Sequence, residues 1–437
     1  MTIFVNNQLK RTKKALKVSL LVSTLAMALT SQAADLYQIT DLGSLAPDTV
    51  ENRTVDAFSI NNANSIVGHA SGEDFEKHAF AYLNSGLIDL GSLPNTDADG
   101  VEEVGESAAF GVNDSDIAVG YSVESFVDDP DAQTLVYSDV EIAVYYDLSA
   151  LTINRIPQFA PDNPKHAKAS AINGNVVVGN MFLDPPNDED SNGDPVSLDY
   201  LRGFFYNISL DLLTAVHPLG NEDSLSLSLR DLNDSGIATG ISTETVDGVL
   251  TSQVIVVDSA TPETVEKIHI FGGNTQQPWA INNAGKIVGK ALSEDNRNTE
   301  AFIYATPTAT RVGYLNNNFK YSEAFDINDS DQVVGTSQVE STPVYHAFLY
   351  ESDTLKDLNE HVACDSGWQL TEARSINDSG VIAGTGVFEG EKRAFMLTPQ
   401  SGSKPVCEVE DDTGSGSLPL SALLSLLLFG FIRRQKN

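Results

Sequence analysis

The run of residues whose types and spacing best suit metal chemistry is Asp188-Glu189-Asp190-Ser191-Asn192-Gly193-Asp194, closed by Asp199. It reads D-x-D-x-N-G-x5-D. Oxygen ligands at alternate positions wrap a hard cation, the glycine permits a sharp turn, and a final carboxylate closes the shell. Asp188, Asp190, Asn192, Asp194 and Asp199 are the candidate ligands, and Ca2+ is the candidate cofactor. Pro195 inside the run and Asp rather than Glu at its end leave open an acidic loop that binds nothing. Asp97-Ala98-Asp99-Gly100 is too short to form such a shell. The chain has no H-E-x-x-H, G-x-S-x-G, C-x-x-C or P-loop motif. Its seven histidines are scattered, although His78 and His346 recur at one repeat position beside an aromatic run. A carboxylate pair for glycoside cleavage cannot be picked from 61 acidic residues without geometry. Catalytic residues are therefore assigned to none.

Charge narrows the partners. Lys and Arg total 26 against 61 Asp and Glu, a net charge of -35. Five of the basic residues lie within 10–17 and three within 433–436, so the body between carries 18 against 61. Such a surface repels phosphate, which excludes a nucleic-acid binder and a protein docked on anionic lipid. The apolar fraction of 41% over 437 residues is ample for a core.

Both ends read as addresses. Basic residues at 10–17 precede an apolar run from Val18 to Thr30 and then Ser31-Gln32-Ala33, the layout of a secretory signal peptide cleaved between Ala33 and Ala34. The run is short for a permanent anchor. Cys364 and Cys407 are the two cysteines, and an exported chain is expected to pair them, with free thiols as the alternative. At the other end, acidic residues and Gly414-Ser415-Gly416-Ser417 lead to an apolar segment, Leu418 to Ile432, and to Arg433-Arg434-Gln435-Lys436. This tail resembles the GlyGly-CTERM sorting signals of Gram-negative bacteria, which implies display at the cell surface. It departs from them in alternating Gly with Ser, and a simple membrane anchor is the alternative.

Between the ends the chain repeats. An Ile-Asn, a polar turn, an apolar pair and a Gly recur from Ile60-Asn61, Val112-Asn113, Ile172-Asn173, Leu232-Asn233, Ile281-Asn282, Ile327-Asn328 and Ile376-Asn377. An aromatic run follows each copy, as in Ala79-Phe80-Ala81-Tyr82 and Ala347-Phe348-Leu349-Tyr350. A third motif, clearest in Ile39-Thr40-Asp41-Leu42-Gly43 and Ile88-Asp89-Leu90-Gly91, precedes each copy. The apolar runs read as strands bounded by turns. The last turn position is Asn64, Asp116, Asn175, Gly236, Gly285, Asp331 or Gly380, all types that tolerate a left-handed backbone, which predicts short hairpins rather than a metal box. Four strands in about 50 residues is the size of a propeller blade. The expected fold is all-β: a seven-bladed β-propeller over 34–400, followed by an acidic Gly/Ser linker at 401–417 and the tail at 418–437. The Gly ending the third motif is expected to mark a bulge or a close backbone approach near the axis.

His346-Ala347-Phe348-Leu349-Tyr350, Ile327-Asn328-Asp329-Ser330 and Val333-Val334-Gly335 resemble the bacterial extracellular HAF repeat, and the chain as a whole is similar to the DUF3466 group of exported proteins. The likeness is strong in the first repeat and the last three, and weak in the second to fourth. The family brings no assigned activity. The Asp188–Asp199 run likewise resembles the calcium loops of EF-hands and of some propeller hairpins, without their helical flanks.

The segment between the Gly strand and the aromatic strand is 22 residues in the second repeat (121–142) and 23 in the third (180–202), against 9 to 13 elsewhere. Two neighbouring repeats thus carry acidic insertions on one face, where function concentrates on a rigid scaffold. The expectation is an exported, surface-associated binding scaffold, without identifiable chemistry, for an extracellular protein or polysaccharide. It is expected to be a monomer that meets membrane only through its C-terminal tail. The alternative is an exported hydrolase or lyase that attacks extracellular polysaccharide with carboxylates of these insertions.

Overall fold

The computed structural model describes residues 36–46, 53–71, 77–84, 86–96, 102–127, 137–159, 165–183, 200–216 and 224–401. These residues are all β, apart from one 3-10 turn at Leu358–His361. They form five four-stranded antiparallel sheets, one eight-stranded sheet and a two-stranded ribbon. The eight-stranded sheet is two four-strand groups joined by a single parallel bridge, Leu201↔Ser226.

Each group follows the repeat. A first strand ends at the Ile-Asn motif: Val55–Ile60, Ser107–Val112, Ala167–Asn173, Ser224–Leu232, Gln276–Ile281, Ser322–Ile327 and Trp368–Ile376. The polar turn reverses the chain into a second strand that carries the motif Gly, such as Ile66–Ser71 and Val333–Gln338. The aromatic run is the third strand, such as Lys77–Leu83 and Tyr345–Glu351, and a shorter fourth strand completes the sheet. Each first strand lies beside the first strands of the groups before and after it, and the first strand of the last group lies beside that of the first. Apolar clusters fill the space between successive sheets, with Phe80, Phe204, Phe302, Phe348 and Phe395 fully buried.

The third motif occupies the fourth strand, farthest from the first, and so does not approach an axis. The expected bulge does occur in the first repeat: the register slips between Ala79 and Phe80 as the pairing passes from Gly91 to Asp89, and Gly91 has φ 70°. Its copy in Leu36–Asp41 pairs with Glu391–Gln400, register Gln38↔Thr398, so the N-terminal strand completes the last sheet. The ion pair Arg393–Asp41 (2.7 Å) sits at the same place as His78–Asp89 (2.9 Å) and His346–Asp357 (2.6 Å). The recurring histidines therefore pair with the Asp of the third motif.

The turns behave as their residue types demand, with one exception. Asn64, Asp116, Gly236, Gly285, Asp331 and Gly380 have positive φ. In the third repeat the turn is shorter, and Gly174 (φ 52°), not Asn175, takes the left-handed position. The second-repeat insertion is largely extended hairpin: Ile117–Val127 pairs with Tyr137–Asp147 out to Val127↔Tyr137, leaving 128–136 outside the described residues.

Candidate ligand-binding site

The site begins with the motif Gly. Each pairs across the ladder with the residue at which the first strand's register slips: Gly68 with Ala57, Gly120 with Ala109, Gly179 with Ala169, Gly240 with Leu229, Gly289 with Pro278, Gly335 with Ala324 and Gly384 with Ala373. A Cβ on any of these glycines would overlap a carbonyl oxygen of the first strand. The repeat keeps Gly because the bulged strand leans onto it.

The bulge has a consequence for the neighbouring side chain. The extra residue in each first strand leaves the ladder and is re-aimed. These residues are Phe58, Phe110, Ser170, Arg230, Trp279, Phe325 and Arg374, always three before the motif Asn. All seven line one cavity or the next along the same passage. The first of these cavities measures about 350 Å³ and adds Lys168 and Asn180 to its walls. Phe58 and Phe110 lie 5.5 Å apart between ring centroids, and Trp279 and Phe325 6.3 Å. Arg230 sits 4.9 Å over the Trp279 ring and Arg374 4.2 Å over Phe325. Lys168 pairs with Glu141 (2.7 Å) and Arg374 with Glu372 (2.6 Å). Arg230 makes no hydrogen bond or ion pair among the described residues, and burial pulls its pKa below the usual guanidinium range.

One residue further along each strand is a second layer. Where it is polar it caps the backbone N–H of the next group. Ser59 Oγ accepts from Val112 N, Asp231 Oδ2 from Ile281 N (2.8 Å), Asp326 Oδ2 from Ile376 N (2.9 Å), and Ser375 Oγ from Ile60 N. Burial pushes the Asp231 carboxyl up to about 7, and raises Asp326 as well.

The motif Asn forms a third layer. In six repeats its Oδ1 closes its own turn, as Asn282 does by accepting from Lys286 N (2.9 Å). Its Nδ2 reaches the next repeat. Asn61 donates to Asn113 O, Asn113 to Gly174 O, Asn173 to Asp234 Oδ1, Asn233 to Asn282 O, Asn282 to Asn328 O, Asn328 to Asn377 O, and Asn377 to Asn61 O, where the series returns to its start. A side-chain amide carries an acceptor and two donors on separate atoms, so it can serve both bonds at once. The turn residues after the Asn, among them Asp114, Asp234, Asp329 and Asp378, face a second cavity of about 420 Å³. Asn62 Nδ2 bridges Asp114 and Asp378, and Asn283 Nδ2 bridges Asp234 and Asp329. The turn carboxylates thus act as acceptors between repeats.

Asp188, Asp190, Asn192, Asp194 and Asp199 lie outside the described residues, as do Ala33, Ala34 and the tail. Cys364 is disulfide-bonded, and the chain's other cysteine is Cys407. Among the described residues no helix is long and apolar enough to cross a membrane. Spacing in the sequence points to the insertions rather than to the bulge residues. Their signal was present: three before the fixed Asn stands a position that is aromatic or Arg in six repeats of seven.

Fold and site together define an all-β repeat protein with a charged aromatic cavity where its first strands converge. Residues 216–414 match the family described as "Protein of unknown function (DUF3466)", which supports the likeness of the chain to the DUF3466 group. No curated protein matches the chain. Among solved structures, an oligogalacturonate lyase in complex with manganese is 13% identical, with 84% of this chain and 94% of that one covered, at TM-score 0.44. Porphyromonas gingivalis dipeptidyl peptidase 4 is 10% identical, covering 82% of this chain and 53% of that one, at 0.41. Pyrococcus horikoshii acylaminoacyl peptidase is 10% identical, covering 78% and 52%, at 0.43. Likenesses this weak carry no inference about activity.

Proposed function

We propose that the chain is an exported seven-bladed β-propeller of the HAF-repeat kind that acts as a binding scaffold, with its ligand seated in the arginine–aromatic cavity. The carrying observation is the convergence of Phe58, Phe110, Arg230, Trp279, Phe325 and Arg374 at one repeat position. Aromatic faces and guanidinium groups are the side chains enriched where ligands and partners bind. Lys168 lies toward the start of the third repeat's first strand and pairs across the ladder with Asn180 of the second strand. In an antiparallel sheet that is also the end at which the second and third strands join, and hence the side of the two insertions. A second reading, an exported hydrolase or lyase, has one observation in its favour: a carboxyl held near 7 at Asp231 is suited to acid–base work.

The two readings separate in one experiment. The Trp368→Phe variant leaves Trp279 as the sole tryptophan. A panel of acidic and neutral saccharides and peptides is titrated against its fluorescence, and each mixture is then analysed by mass spectrometry. A change in Trp279 emission with the ligand recovered intact supports a scaffold. Cleaved ligand, abolished by Asp231→Asn, supports the enzyme. Export and surface display rest on residues 10–33 and 418–436. Deleting 418–437 should release a folded protein into the medium, and finding it insoluble inside the cell would count against a purely addressing role for the tail.

A further inference from the structure

Six of the seven bulge positions carry a large side chain, and the third carries Ser170. In sequence order Ser170 stands between Phe110 and Arg230. The 350 Å³ cavity is lined by Ser170 together with Lys168 and Asn180 of the same repeat. A small side chain in an otherwise bulky series leaves room beside Arg230. Asn180 Oδ1 already accepts from Ser228 Oγ (2.5 Å), which leaves its amide N–H groups for another acceptor.

The charges at this place do not balance. Lys168 and Arg374 each have a carboxylate partner, and Arg230 has none among the described residues. It is half-buried against Trp279 in a chain of net charge -35 that has acidic side chains to spare. A guanidinium taken out of water without a counter-ion is costly, and a stacked guanidinium keeps its edge N–H groups free for a planar, bidentate acceptor. One unmatched positive charge suits one negative charge. A doubly charged phosphate would leave an excess in an already acidic body.

We propose that the cavity beside Ser170 binds a monocarboxylated sugar of the uronic-acid type, whose carboxylate pairs with Arg230 while its ring lies against the aromatic side chains. Ser170 and Asn180 supply hydrogen bonds to ring hydroxyls, and the C–H face of the ring stacks on the Phe110 and Trp279 side. At about 350 Å³ the space is at the small end of ligand pockets and suits a sugar or the end of a short saccharide rather than a polymer chain. The inference rests on the binding reading given above and narrows its ligand.

The test uses D-glucuronic acid, with D-glucose as its neutral twin and benzoate as a flat carboxylate that is not a sugar. Binding to the full chain is measured by calorimetry. The proposal expects glucuronate to bind at least tenfold more tightly than glucose or benzoate, and added salt to weaken it. Arg230→Gln should lose at least tenfold in glucuronate affinity, and Ser170→Phe, which fills the gap but keeps the guanidinium, should abolish binding. Thermal unfolding of both variants shows that they remain folded. If glucuronate does not bind, or binds equally to Arg230→Gln, the proposal is overturned. A neutral saccharide that binds, changes Trp279 emission and is lost in Ser170→Phe but not in Arg230→Gln overturns the carboxylate assignment and leaves the scaffold reading standing. If no member of the wider panel affects Trp279, both fall. Benzoate binding more tightly than glucuronate overturns the sugar assignment.

Discussion

Replacing Asp231 by Asn should stabilise the protein, and by an amount that grows with pH. The Asp231 carboxyl lies in the layer below the arginine–aromatic cavity and accepts from Ile281 N at 2.8 Å. Burial raises its pKa from 3.8 to about 7. The folded chain therefore holds this proton to higher pH than the unfolded chain. Stability from the group is greatest below about pH 4, falls as pH rises toward 7, and is level above that. At about 1.4 kcal/mol per pH unit the gap amounts to about 4 kcal/mol. Asp231 is only half-buried, so water in the channel should reduce this to about 2 kcal/mol. Asn keeps an acceptor for Ile281 N and cannot ionise. Urea unfolding of wild type and Asp231→Asn at intervals from pH 4 to 8 gives the difference directly and cancels the other titrating groups. That difference should be near zero at pH 4, rise through pH 5 to 7 and then plateau. A difference independent of pH would mean that the carboxyl titrates alike in both states and is not raised by burial.

Other consequences follow from the same geometry. Gly335→Ala sets a Cβ against Glu323 O and the Phe348 ring and should cost at least about 3 kcal/mol, whereas Gly86→Ala, with no atom nearer than 3.8 Å, should change the melting temperature little. Asn282→Asp keeps the acceptor for Lys286 N but loses the donor to Asn328 O, so it should cost about 2 kcal/mol in denaturant unfolding, and a neutral result would discount the inter-repeat bridges. His346 is held above its ordinary pKa by Asp357. Its pair should stabilise fully below pH 6.5 and weaken as pH rises through the raised value, so the cost of His346→Gln should shrink in alkaline buffer.

Much of the architecture was legible because the repeat writes its hydrogen-bonding needs into residue types. The Asn is both acceptor and donor in six of the seven turns, and the residue that ends the turn tolerates a positive φ. The Gly of the second strand was equally visible, but its reason was not. Nothing in a linear pattern says that a bulged strand, half a hairpin away, presses its carbonyl onto that Gly. For the same reason the bulge residues escaped notice. They vary from Phe to Arg to Ser, and a changing position in a fixed motif reads as unconstrained until the bulge turns all seven toward one passage. The third motif was placed before each copy because it precedes it in sequence. Pairing of Leu36–Asp41 with Glu391–Gln400 is a contact across nearly the whole chain, which local spacing cannot reveal. The insertion of the second repeat reads as a loop in sequence, yet most of it extends a hairpin, since alternating side chains can continue a strand as far as the partner strand follows.

The shared site depends on the seven repeats closing, because only then do the seven bulge residues share one passage. Gln38 and Thr398 are paired across the first and last strands of the described chain, 360 positions apart. The most direct measurement is to introduce cysteines at these two positions, oxidise gently and map the linked peptides by mass spectrometry. Closure predicts an intramolecular 38–398 link in a folded protein with a raised melting temperature, alongside the native Cys364 disulfide. Thiols at 38 and 398 that stay free, or that link only between molecules, would contradict closure and with it the shared site.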